Sequence, residues 1–352
     1  MWSDKTTIDC FEIDINTGEK LSPQKTIWEG FSQAIPEGPH IYKKDSWYYL
    51  LAAEGGTSKD HIITMARSAS IWGPYQTFDG NPILEACKES DDVQHTGHGD
   101  LFQDQEGRWW LVCLGVRKTQ GRYILGRETF LSSVQWAKDE WPILQPVKLN
   151  PTIGLEESSE IQLLRSVSPS PLIELVHIRD TDYEMYDISS DTHHITLISS
   201  VIDLSGSKGP VAFVGKRQRS LEGVASVSLI QPAHDNDTKA GLAYYKDEHR
   251  YIRIFYDSKS SEIVSEMVNR AKSLSSRSSV DYKEAGDVVF RIRYTALSLE
   301  FSYSSNGSDW TVTESFDTAI MTDYDFTGPV IGVFATAEKD PTKVRFRGLE
   351  IL

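Results

Sequence analysis

Apolar and polar residues alternate along this chain in short runs separated by Gly, Pro, Asn, Asp and Ser, a two-residue period that predicts β-strands. Residues 8–15 form one such run, Asn16, Thr17 and Gly18 supply a turn, and residues 26–28 return, which is a hairpin pattern. The run 41–50 (Ile-Tyr-Lys-Lys-Asp-Ser-Trp-Tyr-Tyr-Leu) recurs as 101–111 at an offset of 60 residues, 61 beyond the turn. Each copy is an apolar-aromatic strand, a polar turn and a second aromatic strand. Between the copies, residues 62–68 are another strand pattern and Trp72, Gly73, Pro74 and Tyr75 a turn. A repeat holding about four short strands is the signature of propeller blades, each of which buries its faces against its neighbours. Helical periodicity is nearly absent. The exception is 261–273, where Ile263, Met267 and Val268 fall at i, i+4 and i+5 and predict a short helix.

These patterns divide the chain. Residues 1–145 carry the repeat, residues 146–181 are rich in Pro, Ser and Glu and read as a linker or ordered crossing segment, and residues 182–352 return to eight or more short alternating strands, a β-sandwich pattern. The fold class is all-β, and 352 residues suffice for two cores.

Charge and composition narrow the chemistry. A formal net charge of −15 disfavours nucleic acid and anionic membrane surfaces as partners and fits a neutral ligand. Nine Trp, fifteen Tyr and thirteen Phe suit sheet cores and equally suit flat sugar-stacking surfaces. Cys10, Cys87 and Cys113 are too far apart for a disulfide framework or a Cys-x-x-Cys metal site, and Cys113 reads as a small buried hydrophobe. The first residues lack a signal-peptide pattern, so as written the chain reads as cytoplasmic, with secretion open if the true start lies upstream.

One carboxylate stands out. Glu37 lies between Pro36 and Gly38, just ahead of the apolar run 47–53, whose walls would take water away from it; that is the setting of a general acid. From local spacing alone it reads first as a solvated turn glutamate. The residues around it carry a resemblance. Glu37-Gly38-Pro39-His40-Ile41-Tyr42, with Ala53-Glu54-Gly55-Gly56-Thr57, Ala66-Arg67-Ser68, Gly73-Pro74-Tyr75, Thr96-Gly97-His98 and Leu125-Gly126-Arg127, resembles glycoside hydrolase family 43 in order. Phe213-Val214-Gly215 and Asp325-Phe326-Thr327-Gly328 resemble the concanavalin-A-like sandwich appended to its xylosidase branch.

The resemblance implies a partial five-bladed β-propeller followed by a concanavalin-A-like β-sandwich, acting on xylo- or arabino-oligosaccharides by inverting hydrolysis of terminal pentosyl residues. It implies Glu37 as general acid, His98 on the propeller axis binding a central calcium or its water shell, Arg127 at the sugar subsite and Phe326 as an aromatic wall over the sugar. Read without it, His98 is a hydrogen-bonded core residue, Arg127 a partner of Glu128, and Phe326 a buried turn residue. Inverting enzymes need a second carboxylate as base, about 6.5 to 9.5 Å from the acid. In the family it lies in a blade ahead of the Glu-Gly-Pro motif, and only 36 residues precede Glu37 here. Asp4, in Trp2-Ser3-Asp4-Lys5, is too close in sequence to begin a separate blade. The expectation is therefore an N-terminally truncated member that lacks its base and is weakly active or inactive. The other reading is a non-catalytic carbohydrate-binding protein whose sandwich does the work.

Overall fold

A computed structural model describes residues 7–32, 34–56, 59–86, 92–149, 171–191, 193–232, 237–284 and 286–352; Asp4, Cys87 and most of the Pro-, Ser- and Glu-rich segment lie outside them. The chain separates into two units, Met1–Lys118 with Arg127–Leu155, and Thr119–Gly126 with Glu156–Leu352. Among the described residues the elements are strands and short 3-10 turns.

In the first unit, β1 (Ile8–Cys10) and β2 (Lys25–Trp28) form the expected hairpin. Strands β3 (Glu37–Lys44), β4 (Trp47–Glu54), β5 (Ile62–Ser68) and β6 (Gln76–Thr77) are neighbours in one antiparallel sheet, with β7 (Leu84–Glu85) also on β5. Strands β8 (Gln94–Gln103), β9 (Trp109–Val116), β10 (Arg127–Gln135) and β11 (Ile143–Leu144) form a second. The recurring sequence is thus a recurring blade: Ile41 pairs with Leu50 in one and Leu101 with Leu111 in the other. Tyr49, Leu51, Ile63 and Met65 of the first blade pack with Leu101, Leu111, Cys113 and Trp136 of the second. Burial pushes the Cys113 thiol up to about 12, as befits a residue used for its volume. On the other face of the first blade, Leu50, Ala52 and Ala66 pack on Ile8, Ile27 and Trp28.

The second unit is two seven-stranded antiparallel sheets. One runs, in spatial order, Leu175–His177, Phe213–Arg217, Val330–Ala337, Thr238–Asp247, Arg250–Asp257, Glu262–Asn269 and Leu274–Asp281. The other runs Tyr186–Ile188, His194–Ile198, Lys343–Ile351, Gly223–Leu229, Val288–Tyr294, Ser298–Ser304 and Thr311–Asp317. Their inner faces share one core, in which Leu242, Ile254 and Val333 meet Val227, Phe290, Phe301 and Phe346. Each fully buried Phe or Leu contributes roughly 1.5–3 kcal/mol. The sandwich takes up strands earlier than residue 182, because Leu175–His177 pairs with Phe213–Arg217 and uses its backbone hydrogen bonds.

The helix expected over 261–273 is instead the strand Glu262–Asn269, paired along its length with both neighbours. The outer face of its sheet carries a second core, with Phe213, Tyr245, Phe255, Val264 and Phe334 under Leu204 and Val211. Apolar residues are therefore needed on both faces of this strand, and Ile263, Met267 and Val268 mimic a helical stripe.

Residues 119–126 leave the first unit between β9 and β10 and group with the second. Arg122 donates to the Leu297 carbonyl (3.0 Å), Thr318 Oγ1 (2.9 Å) and Asp317 Oδ2 (3.0 Å). Gly126 forms a β-bridge with Thr327. At Gly126 the backbone has φ +66°, and an added Cβ would lie 2.6 Å from the Thr327 carbonyl carbon, so both conformation and space call for glycine.

Candidate active site

Glu37 opens β3 at a β-bulge: it pairs with Ala53, the next pair is His40 with Leu51, and Gly38 and Pro39 together face the single residue Ala52. Pro39 has no N–H to give the ladder, which is why pairing lapses there. Gly38 has φ +55°, and a Cβ on it would fall 2.6 Å from His98 Nε2. The Glu-Gly-Pro sequence therefore does two things: it bulges the strand directly after Glu37, and it clears room for the His98 ring. Opposite, β8 is bulged on both sides of Gly97, and His98 takes φ +47°. Such a conformation is costly for a residue other than glycine and gathers at functional sites. The outcome is His98 Nδ1 3.9 Å from Glu37 Oε1.

The apolar enclosure expected around Glu37 is not present. Its side chain is 41% exposed and that of His98 45%. The physical reason is topological: β3 is the edge strand of its sheet, while the apolar run that follows, Tyr49 to Ala53, is turned into the interior of β4. His98 is correspondingly no core histidine.

Two neighbouring networks hold this corner. Tyr42, on β3, donates its hydroxyl to Asp100 Oδ1 (2.6 Å) and accepts from the Leu101 N–H (2.9 Å), tying β3 to β8. Burial, with the Asp100 carboxylate beside it, holds the Tyr42 phenol protonated far above its ordinary range. His40 Nδ1 lies 3.5 Å from the same Asp100 oxygen. Behind Glu37, the carboxylate of Glu54 is fully buried at the end of β4. It accepts from the N–H groups of Phe31 (2.8 Å) and Ser32 (2.7 Å) and from the hydroxyls of Ser32 (2.6 Å) and Thr64 (2.7 Å). The loop it grips ends at Pro36.

His61, just before β5, is 1% exposed. Burial pushes its pKa down to about 4, with the nearby His98 and Arg127 acting in the same direction, so the ring is neutral at pH 7. Arg127 begins β10 opposite Val116, and Glu128 beside it is gripped bidentately by Arg117 at 2.8 and 2.8 Å. Glu37, His98, Arg127 and His61 all belong to the first unit. Phe326 belongs to the second, where it is 61% exposed rather than buried in its turn.

The sequence pointed to Glu37 and His98, which the fold brings together, but not to Glu54, His61 and Asp100 around them. Glu54 had a signal, being a carboxylate that directly extends the apolar run 50–53; a charge there must be paired inside. The pairing of Asp100 with Tyr42 and His40 had none, since it joins residues far apart in the chain.

Calcium binds six to eight oxygens. His98 offers one imidazole nitrogen beside one carboxylate, and among the described residues no three His, Cys, Asp or Glu side chains converge as a metal site. The described side chains thus do not make a calcium cage, and no chemical step below passes through a metal.

Residues 2–142 match the family "Glycosyl hydrolases family 43", and residues 168–349 match the "Beta xylosidase C-terminal Concanavalin A-like domain". A non-reducing end α-L-arabinofuranosidase of Bacteroides ovatus is 28% identical over 341 residues, covering 92% of this chain and 63% of its own length. A xylan 1,3-β-xylosidase of a Vibrio species is 28% identical over 323 residues, covering 85% and 60%. The chain thus spans less than two thirds of these curated relatives. A crystal structure of a family 43 protein from Bacillus licheniformis superposes with a TM-score of 0.81 at 25% identity, over 97% of this chain and 70% of that one. Its blades are propeller blades and its sandwich is the xylosidase-type C-terminal domain: the chain belongs to glycosyl hydrolase family 43.

Proposed function

We propose that this chain serves hydrolysis of terminal xylosyl or arabinosyl residues in short oligosaccharides, with inversion, and that Glu37 is the general acid. The observation that carries the reading is the Glu-Gly-Pro bulge, beside which a half-exposed carboxylate stands against His98, inside the region that matches the family's catalytic domain. An acid in this position protonates the departing glycosidic oxygen as the bond to the anomeric carbon lengthens, while a water attacks from the opposite face. Arg127, in the first unit, supplies a fixed fork of donors for sugar hydroxyls. In the second unit, the exposed ring of Phe326 offers an apolar face that suits a sugar.

No other carboxylate of this chain stands in a motif matching the family's general base. Turnover by these 352 residues alone is therefore weak or absent. The test is an assay of aryl β-xyloside and aryl α-arabinofuranoside with and without azide, which can attack in place of activated water. Expected is little turnover without azide, and with it a glycosyl azide of inverted configuration whose formation falls in Glu37→Gln. Fast hydrolysis without azide refutes the missing base; turnover indifferent to Glu37→Gln refutes the acid.

A further inference from the structure

The second unit contains a lysine that folding alone does not call for. Lys246 lies on the strand Thr238–Asp247 with its side chain 2% exposed, and its ammonium is 2.9 Å from Asp325 Oδ2. Arg250 takes the same carboxylate with two nitrogens, Nη1 to Oδ2 at 3.0 Å and Nη2 to Oδ1 at 2.8 Å, and is itself held by Asp247. A buried ammonium costs several kcal/mol to desolvate, and apolar residues of the same volume often do as well for stability. What the arrangement fixes is the course of the chain at Asp325. The Asp323 N–H also donates to Asp325 Oδ2 (3.2 Å), and the Asp325 N–H to the Asp323 carbonyl (2.7 Å), so the loop is wound on this one carboxylate.

The residues on either side face the other way. The Asp325 side chain is 13% exposed, whereas Tyr324 and Phe326 are 63% and 61% exposed. The Tyr324 ring lies beside that of Tyr123, at a centroid distance of 4.7 Å, with hydroxyl oxygens 3.2 Å apart. One side of the ring is thereby steadied and its hydroxyl oriented. On the far side of the loop, Thr327 is bridged to Gly126. An inward acid gripped by two cations, flanked by two outward aromatic rings, is how a rigid platform for a flat apolar ligand face is built, since rings held in advance lose little freedom on binding.

We propose that Tyr324 is a second sugar-contacting residue beside Phe326, and that Lys246 and Arg250 are positioning residues that hold both rings through Asp325. The ligand class is a pentose oligosaccharide, and this half of the proposal rests on the carbohydrate reading above. The positioning half does not.

The two halves separate experimentally on the full chain. Amide exchange is followed over residues 323–327, with Val330–Ala337 as an internal reference, in the parent, Lys246→Met and Arg250→Lys. Xylotriose and arabinotriose are titrated calorimetrically into the parent, Tyr324→Ala, Tyr324→Phe, Phe326→Ala and Lys246→Met. Expected is exchange at 323–327 at least about tenfold faster in Lys246→Met with the reference strand unchanged, and faster to a lesser degree in Arg250→Lys, which covers the case of a poorly folding methionine variant. Tyr324→Ala should lose about tenfold in affinity with exchange unaltered, and Tyr324→Phe should stay within about threefold of the parent; tenfold corresponds to about 1.4 kcal/mol. Unchanged exchange in both cation variants overturns the positioning role. Parent binding that Tyr324→Ala leaves intact overturns the contact. A parent that binds neither sugar overturns the contact together with the carbohydrate reading, while the exchange data still decide the pin.

Discussion

Glu54→Ala isolates what holds the approach to Glu37. The carboxylate is fully buried and accepts four hydrogen bonds, from Phe31 N–H, Ser32 N–H, Ser32 Oγ and Thr64 Oγ1. Hydrogen bonds to a charged group contribute about 1.5–3 kcal/mol each, and a stranded buried donor costs about 1–3 kcal/mol. The four do not add. Phe31 and Ser32 are exposed, so their donors find water once the carboxylate is gone, whereas the buried Thr64 hydroxyl keeps only its longer bond to the Ala52 carbonyl (3.3 Å). That leaves about 3–5 kcal/mol for the alanine variant. Glu54→Gln keeps the volume and one acceptor oxygen but turns an NH2 towards existing donors, at about 2–3 kcal/mol. For a unit of this size each kcal/mol moves the midpoint by about 2–4 °C, so the alanine variant should melt about 10 °C lower. Calorimetry measures the midpoint, and amide exchange at Phe31, Ser32 and Gly55, whose N–H bonds the Ala34 carbonyl, reads the loop itself. A first-unit midpoint within about 2 °C of the parent, or unaltered exchange at those amides, would refute the assignment of Glu54 as the anchor.

Arg67 lies between the rings of Trp47 and Trp141, 4.4 Å from each centroid, and donates to the Asp139 carbonyl; Arg67→Ala should destabilise by about 2 kcal/mol and Arg67→Lys by over half as much, measured by denaturant unfolding. Although partial burial opposes it, hydrogen bonds from Trp110 and Arg108 hold the Asp104 carboxyl down at about 2. The folded value lies below the ordinary one of about 3.9, so its contribution is complete above that pH and is lost as pH falls through about 2; the midpoint gap between parent and Asp104→Asn should close between about pH 4 and pH 2. Gly126→Ala forces a side chain onto Thr327 at a positive φ and should cost about 1–3 kcal/mol in the second unit, read by chemical denaturation.

The blades were legible because their signal is local: a two-residue period, a turn and an aromatic return, repeated. The sandwich was legible for the same reason, except at Glu262–Asn269, where burial on both faces erases the alternation that distinguishes a strand from a helix. Glu37 could be singled out because its flanking Pro and Gly are local too. That it stays open to solvent could not be read, because exposure of β3 follows from its place at the sheet edge, which is a matter of strand order. The same holds for Lys246, Arg250 and Asp325: opposite charges about 75 residues apart are common in any acidic chain, and only folding shows which pair is buried.

The excursion of residues 119–126 makes the second unit discontinuous in sequence. Between β9 and β10 the chain crosses to that unit and returns, so a single cut in the segment after residue 149 would not release it. A protein trimmed to the region matching the C-terminal family, residues 168–349, would discard Arg122, and with it the donor to Leu297, Thr318 and Asp317, as well as the Gly126 partner of Thr327. The sandwich and the blade sheet are two folding units drawn with one thread, and a gene fragment cannot separate them without leaving a stitch of one behind in the other.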